Sequence, residues 1–260
     1  MKLGVAYNLF DGEELLVDSI KSIRNSVDYI IVIYQQTSNF GSNSRIDLAS
    51  YLEELKSDGL IDDMVSYNPR VGRGGHFNEI TKRNLGLYEC SRNKCTHFLL
   101  MDSDEFYTKE QFDSSKEIIL SGEFDSSACQ MVTYYKSGSY RLEPKEEYYV
   151  PFIYKINPGV EFVLNNPFPV LVDPTRRMGP GKCKIFTRDE IEMHHMSFVR
   201  KNLLIKLSNS SAKGSFENKI NKIVDYYNNW KYPSPVMWAD SRLINVVTTE
   251  NLFNINFGDN

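Results

Sequence analysis

Apolar positions recur at two spacings along the first hundred residues. Leu3–Tyr7 is a short apolar run. Leu15, Leu16, Ile20, Ile23 and Val27 then fall three and four apart, the period of a helix with one buried face. Tyr29–Tyr34 is continuous and rich in β-branched residues, as in a strand covered on both faces. A helix is predicted around Leu48, Leu52 and Leu55, a strand over Met64–Tyr67, a helix from Phe77 to about Arg92, and a strand over Phe98–Met101. Strand and helix thus alternate four times, which predicts a parallel, doubly wound sheet. Between the first strand and first helix, Asp11 with Glu14 three residues on predicts an N-cap and its capping partner.

Beyond Asp104 the rhythm changes. Lys109–Leu120 has helical spacing, and Ala128–Tyr135 and Tyr148–Ile156 read as longer strands. The proline- and glycine-rich stretch from Asn157 to Gly181 predicts an irregular wall of loops. Lys184–Phe186 and Glu192–Met196 read as short strands and Val199–Leu207 as a helix. A last amphipathic helix presents Phe216, Ile220, Ile223, Val224 and Tyr227 on one face. No repeat or linker interrupts residues 1–260, so one unit is expected, with halves at 1–105 and 106–260.

Composition narrows the class. With 41% hydrophobic and 25% charged residues, the chain reads as soluble and globular. No apolar run approaches the roughly 20 residues that span a membrane, and Met1–Tyr7 lacks the apolar core of a secretory leader. Cys90, Cys95, Cys129 and Cys183 form no C-x-x-C pair and are expected to be reduced, packed thiols, so a cytoplasmic location is expected. A net charge of −4 gives no sign of a generally basic nucleic-acid surface. Lys201, Lys206 and Lys213 leave room for a local basic track.

The stretch that carries chemistry is Phe98–Leu99–Leu100–Met101–Asp102–Ser103–Asp104. An apolar strand stops at two carboxylates two residues apart, at the carboxyl end where open α/β sheets place ligands. Such a pair, at an open strand end outside the core, suits a hard divalent cation, Mn²⁺ or Mg²⁺, and through it a diphosphate. An acidic turn is the plain alternative.

Three features in this order resemble the GT-A fold glycosyltransferases, and in particular family 2 transferases of bacterial and phage type. They are a Rossmann-like first half ending at Asp102-x-Asp104, the segment Lys82–Arg83–Asn84–Leu85–Gly86–Leu87 before that strand, and His195–Met196–Ser197–Phe198–Val199–Arg200. The first segment is similar to an R-N-x-G helix of family 2. The second is similar to the family's H-x-[SG]-aromatic-V-R stretch. The likeness covers roughly residues 1–105 and 190–205. It implies a nucleotide-sugar-binding half, then an acceptor half with C-terminal helices. The activity implied is metal-dependent transfer of a hexosyl or pentosyl group from a nucleotide sugar, a UDP-sugar favoured, to a hydroxyl. The acceptor would be a saccharide or lipid-linked glycan, with a nucleic-acid base the minority case.

By the same resemblance Asp104 ligates the metal, Asp102 contacts the metal or the ribose, and His195 is the late ligand. His194 and His195 would face opposite sides of a strand. Glu105 is a further ligand or a turn residue. Arg83 and Asn84 contact diphosphate or cap their helix. Arg73, in the loop Arg73–Gly74–Gly75–His76, and Arg176, Arg177 and Lys182 are candidate anion contacts. Ala6, Tyr7, Asn8, Gln35 and Gln36 stand where the fold holds the nucleoside. The catalytic base is not marked by a motif. Of Glu147, Glu161, Asp173 and Asp240, Asp173 is the choice.

Two other classes share these features: a nucleotidyltransferase, and a non-catalytic nucleotide- or glycan-binding module. The acidic turn Asn8–Glu14, where a nucleotidyltransferase carries a basic glycine-rich loop, argues against the first. Intact Asp102, Asp104 and His195 argue against the second.

Overall fold

The computed structural model describes residues 2–179, 181–210, 213–215, 218–238 and 242–257. Phe216 and Asp240, singled out above, lie outside the described residues. The first half runs β1 (Leu3–Leu9), α1 (Glu13–Ile23), β2 (Tyr29–Tyr34), α2 (Leu48–Ser57), β3 (Asp63–Ser66), α3 (Gly75–Arg92) and β4 (His97–Asp102). The second continues with β5 (Glu105–Phe106), α4 (Lys109–Ser121), β6 (Ser126–Tyr135), β7 (Ser137–Glu143), β8 (Tyr149–Pro151), β9 (Ile153–Lys155), β10 (Cys183–Ile185) and β11 (Glu192–Phe198). It closes with α5 (Leu203–Asn209), α6 (Ile220–Asn229), β12 (Val236–Met237) and β13 (Leu243–Thr248).

β1 to β4 form the expected parallel sheet in the order β3-β2-β1-β4, and antiparallel β9 adds to the β4 edge. Alternation along each strand divides the core between two faces. Val5, Tyr7, Val32, Leu99 and Met101 pack with Leu16 and Ile20 of α1 and Leu52 of α2. Ala6, Ile31, Ile33, Phe98 and Leu100 pack with Leu87 and Cys90 of α3. The architecture is mixed α/β and consistent with a GT-A fold.

The second sheet follows the order β12-β13-β7-β6-β11-β5, with β8 and β10 also on β6. The predicted strand Tyr148–Ile156 is two strands in two sheets. β8 pairs with β6, whereas β9 pairs with β4. Ser127 fixes the break: its Oγ accepts from the Ile153 N–H (2.9 Å) and donates to the Ile153 carbonyl (3.0 Å). β9 therefore crosses the division at residue 105.

Two local expectations are corrected. α1 is capped by Gly12, with φ 100° and no side-chain cap bond. A Cβ there would strike Arg200 Nη1 and Ser103 Oγ. Asp11 instead pairs with Arg45, and Glu14 accepts from the Lys201 N–H. The helix predicted from Val199 begins at Leu203, where the Asn202 side chain accepts from the Ile205 N–H. No disulfide forms among the four cysteines. Among the described residues no helix is long and apolar enough to cross a membrane.

Candidate active site

The parallel register β1/β4 sets Asn8 beside Asp102 at the carboxyl edge of the first sheet. After Asp102 the chain turns through Ser103 and Asp104 into β5, whose Glu105 pairs with His195 of β11. The second sheet thus carries His195 to the acidic turn by backbone pairing. A cleft of about 260 Å³ opens here, lined among others by Asn8, Arg83, Asp102, Asp104, His195 and Arg200. A smaller pocket of about 180 Å³ adjoins it, sharing Asp102, Asp173 and His195 and adding Tyr148, Tyr149 and Met193.

Asp104 is 2% exposed, not at an open strand end as expected. Its Oδ2 accepts from Arg200 Nη2 at 2.5 Å and from Lys206 Nζ, and stands 3.8 Å from His195 Nε2. Burial alone would raise the Asp104 pKa. Lys206, Arg200 and His195 outweigh it and hold the carboxyl well below the usual range. Arg176 Nη2 bridges Asp102 Oδ2 and, at 2.6 Å, Glu105 Oε1. Glu105 Oε2 also accepts from the Asp102 N–H at 3.1 Å. Burial, opposed by Arg176 and reinforced by the neighbouring carboxylates, raises Glu105 to about 7. Arg176 itself is held by its carbonyl, which accepts from the Tyr154 hydroxyl of β9 at 2.5 Å.

His195 lines both pockets, and burial pushes its imidazole down to about 4, so the ring is neutral at pH 7. His194 faces the other way, its Nδ1 2.8 Å from the Tyr134 hydroxyl and its ring against Phe253. Arg83 enters the cleft from α3 and donates to Thr175 Oγ1, which donates in turn to Asp173 Oδ1 at 2.6 Å. Asp173 lines both pockets. Burial opposes its ionisation, but Arg83, Arg176 and the Thr175 hydrogen bonds prevail and lower its pKa.

Several expected donor contacts lie elsewhere. Ala6 is core, its Cβ 2.5 Å from where a Cβ on Gly86 would sit. The Tyr7 hydroxyl is buried on Ser19 Oγ at 3.1 Å. Gln36 accepts from Ser44 and donates to Asp47, bracing the start of α2. Asn84 holds both the N–H and carbonyl of Phe162, on the face of α3 away from the cleft. Arg73 stacks over Phe77, 5.0 Å from its ring centre. Arg177 donates to the Asn166 and Val172 carbonyls, and Lys182 lies over Phe124.

The residues that sequence reasoning left without a site role are Arg200, Lys206 and Lys82. Arg200 closes the His195–Arg200 motif, so its signal was present. Lys206, which the sequence leaves available for a local basic track, turns onto Asp104. Lys82 is buried beside Glu79 at 3.0 Å. Lys201 and Lys213 lie over Phe257 and Phe40.

The ligands expected for Mn²⁺ or Mg²⁺ do not fit an ion as they stand. The Asp104 oxygen that faces His195 already holds two cations, and Asp102 and Glu105 share Arg176. Among the described residues, no group of three or more His, Cys, Asp or Glu side chains is placed to hold a metal ion.

No protein-family model matches the chain. No curated protein matches it. Among solved structures, S. aureus TarS 1-349 in complex with UDP-GlcNAc is similar at 11% identity and TM-score 0.49, over 87% of this chain and 73% of that one. S. aureus TarS 1-349 in complex with UDP is similar at 10% identity and TM-score 0.47, over 89% and 76%. GalNAc-T7 with UDP, GalNAc and Mn²⁺ is similar at 11% identity and TM-score 0.43, over 75% and 44%.

Proposed function

We propose that this protein transfers a glycosyl group from a nucleotide sugar to an acceptor hydroxyl. One observation carries the reading. Buried guanidinium nitrogens without a protein acceptor belong to Arg83 and Arg200, which line the cleft at the end of the Asp102-x-Asp104 strand, and to Arg176, which lines the pocket adjoining it. Buried donors of this kind call for an oxygen-rich anion, and the diphosphate of a nucleotide sugar is one. Asn8, buried with both side-chain polar atoms unpartnered, stands at the end of β1 to meet the nucleoside. The adjoining pocket with Tyr148, Tyr149 and Met193 takes the sugar.

In the reaction the bond from the anomeric carbon to the diphosphate oxygen breaks, and its electron pair stays on the diphosphate. The acceptor oxygen forms the new bond to that carbon and gives its proton to Asp173, the carboxylate that reaches both pockets. Arg176 and Arg83 orient the diphosphate and disperse its charge as it leaves. The turn after β1 supports transfer of sugar over transfer of a nucleotidyl group. Its own side chains are acidic, with Asp11 and Glu13 both paired to Arg45.

The test is to incubate the protein with UDP-, GDP- and CDP-sugars and a panel of saccharide acceptors, and to measure release of nucleoside diphosphate and the mass of the products. A glycosylated acceptor is expected with one donor class. Absence of binding by every nucleotide sugar would overturn the reading.

A further inference from the structure

At the acidic turn, side-chain cations hold carboxylate oxygens on which a divalent ion would depend. Arg200 is 4% exposed and donates through Nη2 to Asp104 Oδ2, while its Nε and Nη1 have no partner. Lys206 arrives at the same oxygen from α5, and its side chain is 23% exposed, at the mouth of the cleft. Asp104 is enclosed, and a metal ion at its Oδ2 would compete with two cations already at hydrogen-bond distance. A guanidinium has five N–H donors and an ammonium three, so both groups keep donors to spare after serving Asp104. Diphosphate oxygens are acceptors of matching charge.

We propose that Arg200 and Lys206, oriented by Asp104, take the place of a divalent ion and bind the donor's diphosphate directly. This rests on the nucleotide-sugar reading above. Asp104 is then a positioning residue that fixes two cations, and not a metal ligand. His195, with Nδ1 unpartnered and Nε2 3.8 Å from Asp104 Oδ2, contributes a hydrogen bond at the same wall of the cleft.

The experiment measures melting temperature with inorganic pyrophosphate, UDP, GDP and CDP, each in EDTA and in Mn²⁺, because a ligand selective for the folded state raises it. One or more of these is expected to raise it equally in EDTA and in Mn²⁺. Lys206→Met should weaken that ligand by about tenfold or more, as expected for loss of one charge-assisted contact. Lys206→Arg should recover most of the affinity. Manganese titrated alone, followed by electron paramagnetic resonance, should show no stoichiometric site. A shift that needs Mn²⁺ and ignores Lys206→Met would overturn the proposal while sustaining the glycosyltransferase reading. A stoichiometric Mn²⁺ site lost in Asp104→Asn would do the same. No shift with any diphosphate under either condition would overturn both.

Discussion

Asp104 and Asp102 are two residues apart yet differ in what each holds. Asp104 pairs with Arg200, whose side chain is 2% exposed, so its removal leaves a buried cation unpaired. Asp104→Ala is expected to cost about 3–5 kcal/mol, as broken buried pairs do. The Asp102 side chain is 36% exposed, and without it Arg176 keeps Glu105. Asp102→Ala should cost no more than about 1 kcal/mol. Urea unfolding of the two variants checks this, and equal small losses would show that Asp104 is not a buried anchor. His194 gives a pH signature. Burial holds it down to about 4, below its ordinary 6.5. As pH falls from 6.5 towards 4 the unfolded chain takes up a proton at His194 that the folded chain refuses, so folding weakens. Relative to His194→Phe, the wild type should lose up to about 1.4 kcal/mol per pH unit across that window. Unfolding midpoints at pH 7, 5.5 and 4.5 measure the difference, and a constant difference would contradict it.

Among the elements, α3 does most to join core and site. Arg83 points to the cleft, Asn84 grips the Phe162 backbone, and Gly86 lets the helix lie against Ala6. The run Arg83–Asn84–Leu85–Gly86 is therefore one helix turn with three jobs, set by the angle at which each residue leaves the axis. Gly86→Ala would bring two Cβ atoms to 2.5 Å and force α3 off β1. It should destabilise despite the roughly 1 kcal/mol alanine gains in a helix. Adding Ala6→Gly should relieve the clash, with a favourable coupling of about 1 kcal/mol in a double-mutant cycle. Additive effects would mean that the helix moves freely. The motif was legible in the sequence. The division of labour within it was not, since that depends on which neighbour each face of the helix meets.

Across the whole molecule, the segment 148–156 joins the two sheets and sets the site from behind. Tyr154 of β9 fixes the Arg176 carbonyl, and β8 borders the smaller pocket. Ser127, fully buried, holds the crossover by two hydrogen bonds to Ile153. Ser127→Ala leaves the Ile153 N–H and carbonyl without these partners, and a loss of about 1–3 kcal/mol is expected. If the crossover is a joint between sheets, unfolding should remain a single transition. Separate unfolding of the two halves in that variant, seen by calorimetry, would instead show that they fold independently.

Local pattern identified the parallel strands and helices of the first sheet. Tyr29–Tyr34 was read to the residue, and helix period and strand runs placed α1 to α3, because local periodicity reports which faces are buried. The sequence also placed Asp102, Asp104, Asp173 and His195 as the residues to follow, and these four meet in one cleft. β7 escaped because only Gly138 and Leu142 of its seven residues are buried, too few to show a period. Tertiary structure alone decided what the carboxylates hold. Arg176 reaches Asp102 across 74 residues, and Arg200 and Lys206 reach Asp104 across 96 and 102. Charge pairing over such separations leaves no local pattern. It follows from chain topology, which brings the 176 loop, β11 and α5 to one edge of the first sheet.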